Sequence, residues 1–105
     1  MQESLSAVIF KVNDVWHGQC VEHDIAARAK TPQDIWYELD RAIVAHLKIA
    51  KDNRIPGGLR AIPPAPDFFR AMFARGLRLQ QPEEHRFTTS GFHPVTDLRL
   101  SETPV

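Results

Sequence analysis

The sequence predicts an α+β fold in which a three- to four-stranded antiparallel sheet is packed by one long helix. Three observations predict it. Two runs rich in β-branched and aromatic residues, Leu5 to Val12 and Val15 to Glu22, flank an Asn13-Asp14 pair with turn chemistry. A third short run, Asp24 to Lys30, alternates Ile25, Ala27 and Ala29 with polar or smaller neighbours. The stretch Thr31 to Lys51 then reads as a single amphipathic helix.

In the first strand, Ala7 and Ile9 alternate against Val8, Phe10 and Val12, so the two sets face opposite sides of a sheet. The second strand places Trp16, Gly18 and Cys20 on one side and Val15, His17, Gln19 and Val21 on the other. Gly18 leaves room for a helix to approach closely. Alanine-rich Asp24 to Lys30 would suit a helix by propensity, but about seven residues cannot hold an independent one, and the alternation favours a strand.

Thr31 is placed to cap the free amides of the first helical turn, Pro32 suits the first position, and Asp34 complements the positive end of the dipole. Ile35, Leu39, Ala42, Ile43, His46, Leu47 and Ala50 recur at helical spacing as the apolar stripe, with Glu38, Asp40, Arg41, Lys48 and Lys51 at other angles. His46 lies within that stripe and is therefore a candidate functional histidine, weighed against a buried structural one. Asn53 and Ile55-Pro56-Gly57-Gly58 end the helix.

Beyond it, Leu59 to Ile62 reads as a short strand and Pro63-Pro64-Ala65-Pro66 as a stiff connector. Asp67 to Arg75, closed by Gly76, is a second, short helix showing Phe68, Phe69, Met72 and Phe73. That stripe can complete the chain's own core, join two copies, or hold another partner. After the polar loop from Gln80 to His85, the stretches RFTTSGF and TDLRLSETPV have strand composition with no evident pairing. Residues 1–66 thus form the β-β-β-α unit, and 67–105 a helix and extended segment belonging to the same domain or serving as a dimerisation extension.

Thirteen basic and thirteen acidic residues cancel among 105, which removes any general attraction to nucleic acid. The seven arginines after residue 53 are scattered. An apolar fraction of 43% with 25% charged residues is that of a globular domain, and no apolar run approaches the ~20 residues of a membrane span. A cytoplasmic protein is expected.

One cysteine, Cys20, excludes an intramolecular disulfide and a cysteine-rich zinc site. His17, Cys20 and His23 have the chemistry of metal ligands, but strand parity turns Cys20 away from the two histidines, so no metal or other cofactor is expected. Asp14 belongs to a turn and Asp34 to a cap, and the acids show no spacing that would gather them around a metal. No catalytic centre is inferred.

In their order and spacing, Val8 to Val12, Asn13-Asp14, Trp16, Gly18, Cys20, Ala29-Lys30-Thr31 and the helix from Ile35 to Leu47 resemble the HicB-like antitoxin domain. Ile62-Pro63-Pro64 is similar to the proline-containing end of that domain, so the resemblance spans residues 5–66. It implies a degraded ribonuclease H shape and a non-catalytic protein-binding module related to the antitoxins of type II toxin–antitoxin systems. The partner it implies is a small ribonuclease toxin of the HicA type. Residues 67–105 resemble neither the helix-turn-helix nor the ribbon-helix-helix module with which such antitoxins bind DNA, so operator binding is not expected. The alternative is a stand-alone nucleic-acid or small-ligand binding protein with the same fold. Open strand edges and the phenylalanine stripe further predict a homodimer built from sheet edges and the C-terminal half, with Phe68, Phe69, Met72 and Phe73 at the contact.

Overall fold

The computed structural model describes residues 4–79 and 94–101. Strand β1 (Leu5–Val12) turns through Asn13 (φ 50°) and Asp14 (φ 67°) into β2 (Val15–Cys20). Two successive positive φ values give a tight hairpin turn whose twist matches the strands, and Asn and Asp tolerate that region best among non-glycine residues. The pairing runs from Val12 opposite Val15 to Ala7 opposite Cys20. Strand β3 (Ala26–Ala29) adds antiparallel to β2, with Trp16 opposite Ala29.

Helix α1 (Pro32–Asp52) starts as the sequence predicts: Asp34 N–H donates to Thr31 Oγ1 at 3.1 Å, and Pro32 occupies the first turn. Ile35, Leu39 and Ile43 are fully buried against one face of the sheet, with Ala7, Ile9 and Cys20 among their neighbours in the same cluster. The helix comes close at Gly18, where an added Cβ would sit 3.0 Å from Ile35 Cγ1 and 3.4 Å from Leu39 Cδ2.

The α+β class holds, but the sheet has five strands and is mixed, not a three- to four-stranded antiparallel one. Its order is β3-β2-β1-β5-β4, where β4 is Leu77–Leu79 and β5 is Val95–Leu100. Strand β5 runs parallel beside β1 in the middle of the sheet, with Ala7 opposite Leu98 and Ile9 opposite Leu100. The last described segment is therefore an interior strand and not an appended tail. Sequence reading missed it because a parallel pairing needs a long crossover, which leaves no local turn signal. The RFTTSGF stretch lies outside the described residues.

Leu59 to Ile62 is not a strand: Gly58–Ala61 form a 3₁₀ turn that starts from Gly57 (φ 84°) and Gly58 (φ 55°) and buries Leu59 in the α1 cluster. Asp40, assigned to the polar side of α1, is completely buried. Its Oδ1 accepts the Val95 N–H at 3.0 Å, while Trp36 Nε1 donates to the Val95 carbonyl at 3.1 Å. One turn of helix thus holds both backbone groups of the residue that opens β5.

The connector passes the end of β2 and β3, where Ala65 N–H donates to Val21 O and Pro63 O accepts from Asp24 N–H. It delivers α2 (Asp67–Arg75) to the opposite face of the sheet. There Met72 is buried against Val8 and Phe10, with Phe69, Phe73 and Val12 packed at the margin.

Leu39→Ala should lower the free energy of unfolding by about 2–5 kcal/mol in urea titration, because the residue is fully buried. Asp40→Ala should cost roughly 1–3 kcal/mol by leaving the Val95 amide without its acceptor, and Asp40→Asn, which keeps an oxygen there, should cost less. Equal losses for the two Asp40 variants would show that the carboxylate does not anchor Val95.

Candidate partner-binding surfaces

Three surfaces could meet another molecule, and each follows from how the two helices cover the sheet. The first lies on the α1 side. Leu79 and Leu100 from the neighbouring strands β4 and β5, together with Ile9, form a floor. The first turns of α1 supply Pro32, Gln33 and Trp36 as one wall, and Trp16 from β2 stands beside them. They enclose a half-open apolar groove of about 270 Å³. Among the described lining residues, Gln33 is the one with a polar aliphatic side chain. Because Trp36 already donates its indole N–H to Val95, it offers the groove its ring. Such a surface can take an apolar or aromatic side chain or a small ring compound. Sequence reading overlooked it, although Trp16 and Trp36, the chain's two tryptophans, were its available signal.

The second surface is the α2 stripe. Met72 is buried and Phe69 and Phe73 are half-buried on the sheet, so the stripe is in large part the chain's own core. Phe69 stacks on Phe10 at a centroid distance of 6.0 Å, and Phe10 stacks on His17 at 5.4 Å. Phe73 is covered by the Arg99 guanidinium, 4.2 Å from the ring centroid, and the same arginine bonds Asp97. Phe68 alone keeps half its surface in water, 52% exposed, while meeting Phe69 edge-on.

The third surface is the outer side of β3, on the sheet face that α2 leaves open. Ala26 and Arg28 are exposed there, and Lys30 is exposed in the bend that follows the strand.

The remaining sequence candidates separate. His46 is not in the buried stripe. Past Ile43 the helix packs on the 3₁₀ turn, only Leu47 and Ala50 turn inward, and His46 is exposed. His17 stacks on Phe10 on the α2 side of the sheet, whereas Cys20 is buried on the α1 side. His23 Nδ1 lies 3.0 Å from the Ile62 carbonyl. Among the described residues no three His, Cys, Asp or Glu side chains come together as metal ligands would. No helix among them is long and apolar enough to cross a membrane. No protein-family model, curated protein or solved structure matches the chain.

Burial pushes the Cys20 thiol up from 9.0 to about 11, and the carboxylate of Glu22 adds to the rise. The folded state therefore holds the thiol proton more tightly than the unfolded chain does. Any stability from this source is complete below pH 9 and is lost as pH rises toward about 11. The measurable outcome is that an aromatic disulfide reagent at pH 8 labels Cys20 much more slowly in native protein than in urea. Equal rates would mean that the sulfur is accessible.

Proposed function

We propose that the chain is a non-catalytic, HicB-like protein-binding module, related to the antitoxins that hold small ribonuclease toxins. The observation that carries this reading is the apolar groove between the start of α1 and strands β4 and β5. Two indoles and three aliphatic side chains face one another there, with no nucleophile or acid–base pair among the described lining residues. Such a surface gains free energy by taking apolar side chains from water, as the buried centre of a protein interface does. The strand, strand, strand, capped-helix order and the close contact at Gly18 also support the resemblance, since they are the features on which it rests.

The groove's small volume supports the alternative of a small-ligand binder as well, and purification from the native host separates the two. A small basic ribonuclease that co-purifies, and whose RNA cleavage the chain suppresses in vitro, supports the antitoxin-like reading. Leu79→Gln, a change at the half-buried floor of the groove, should then lose most of that capture at a temperature well below the variant's own melting point. Nucleic acid or a bound small molecule in place of a protein would favour the alternative.

Self-association belongs to the same proposal, with its aromatic contact now narrowed to the exposed Phe68 and the margin of Phe69. Light scattering at micromolar concentration should give twice the chain mass of 11.9 kDa, and Phe68→Glu should reduce it. A wild-type monomer would remove the dimer.

A further inference from the structure

The outer edge of β3 combines free backbone groups with free cations. Cys20 N–H donates to Ile25 O at 2.9 Å, and the register sets Gly18 opposite Ala27 and Trp16 opposite Ala29. In an antiparallel ladder the hydrogen-bonded pairs alternate, so Ala27 and Ala29 bond toward β2, whereas Ala26 and Arg28 turn their N–H and C=O groups outward. Among the described residues no other strand covers that side, because β3 ends the sheet. Parity puts the Arg28 side chain on the face that α2 leaves uncovered, and Lys30 follows in the bend just past the end of the strand. Both are exposed, and neither has an acidic partner among the described residues. Ala27 and Ala29, half-buried on the α1 side, form a shallow apolar ledge without bulk.

We propose that the β3 edge from Ala26 to Lys30 is a strand-addition site for an extended peptide carrying carboxylates at alternate positions. The inference rests on the protein-binding reading but concerns a different surface from the groove. An added strand would bond the outward groups of Ala26 and Arg28, set its acids against Arg28 and Lys30, and lay its intervening side chains over the alanine ledge.

A second copy of this chain does not fit the edge. The antiparallel register that would set Asp24 opposite Lys30 of a second copy is closed, since the Asp24 N–H is taken by Pro63 O at 2.7 Å. The registers that clear Pro63 oppose Arg28 to Arg28 or to Lys30 of the second copy, which is repulsive. The same Pro63 contact limits any guest strand to the segment after Ile25. Charge therefore selects an acidic guest.

The test uses two fluorescein-labelled, end-capped decapeptides, one alternating threonine with glutamate and one alternating threonine with lysine. At low salt the glutamate peptide should bind the whole chain about ten-fold more tightly than the lysine peptide, with the difference shrinking as salt rises. It should also shift the amide resonances of Ala26 and Arg28. Arg28→Glu combined with Lys30→Glu should invert the preference. Ala26→Pro, which removes only an outward N–H, should weaken binding without changing the melting temperature. Equal binding of the two peptides would overturn the proposal, as would shifts confined to other strands or a preference that survives the double reversal. So would an oligouridylate that binds more tightly than the glutamate peptide and is lost in the same double variant, because the cations would then serve phosphate. The probe peptide reports on β3 alone, so its failure leaves the co-purification result to judge the protein-binding reading.

Discussion

The fold depends on how α1 holds Val95. Strand β5 lies between β1, to which it is parallel, and β4, which pairs with it antiparallel but is distant in the sequence, so its register draws on contacts made across the core. Here Asp40 and Trp36, one helical turn apart, take the N–H and the C=O of Val95. A carboxylate with no exposed surface is costly to bury unless its oxygens are bonded, and the Val95 amide satisfies one of them. Beside it the Pro94 carbonyl accepts from Leu5 N–H, tying the start of β5 to the start of β1. Downstream of that anchor, Leu98 enters the core and Arg99 falls on the opposite side, over Phe73. An alternating strand thereby serves two layers at once.

Those two layers are unequal, and the inequality creates the surfaces that could bind something. The longer helix buries an extended cluster from Leu5 to Leu98, yet its first turns leave the ends of β4 and β5 partly open, and the groove lies there. The nine-residue α2 covers only the centre of the other face, around Val8 and Phe10. Among the described residues, strand β3 is consequently backed by α1 on one side and uncovered on the other. Its short length and small side chains leave the edge accessible, while Arg28 and Lys30 discourage pairing between like chains.

Polar side chains explain why the connector lies where it does. Gln19 is nearly buried and bonds Asp24 Oδ1 at 2.9 Å, which shapes the bend between β2 and β3. That bend offers the Asp24 amide to Pro63 and brings Val21 O to Ala65 N–H, so the proline-rich segment is held by backbone bonds although its three prolines donate none. The crossing from the α1 side to the α2 side is thus fixed by the bend and needs little bulk of its own.

What the sequence by itself determined is whatever is written in local chemistry: the Asn13-Asp14 hairpin, the alternation of β1 and β2, the Thr31-Pro32 helix start, the close contact at Gly18 and the span of α2. Each depends on residues a few positions apart or on one side chain's size, so a single stretch carries the information. Only the tertiary structure decided the parallel place of β5, the burial of Asp40, the exposure of His46 and the inward turn of most of the phenylalanine stripe. Helical spacing gives an angle around an axis. It does not say how far the sheet extends beneath the helix, and for that reason His46 drew level with the stripe in sequence and lies outside it in space. Nor can spacing show that a polar residue has a distant amide to bond, so Asp40 read as solvated until Val95, 55 residues away, was set beside it. The groove and the β3 edge arise from what the helices leave uncovered, a property of the packed layers that no single segment contains.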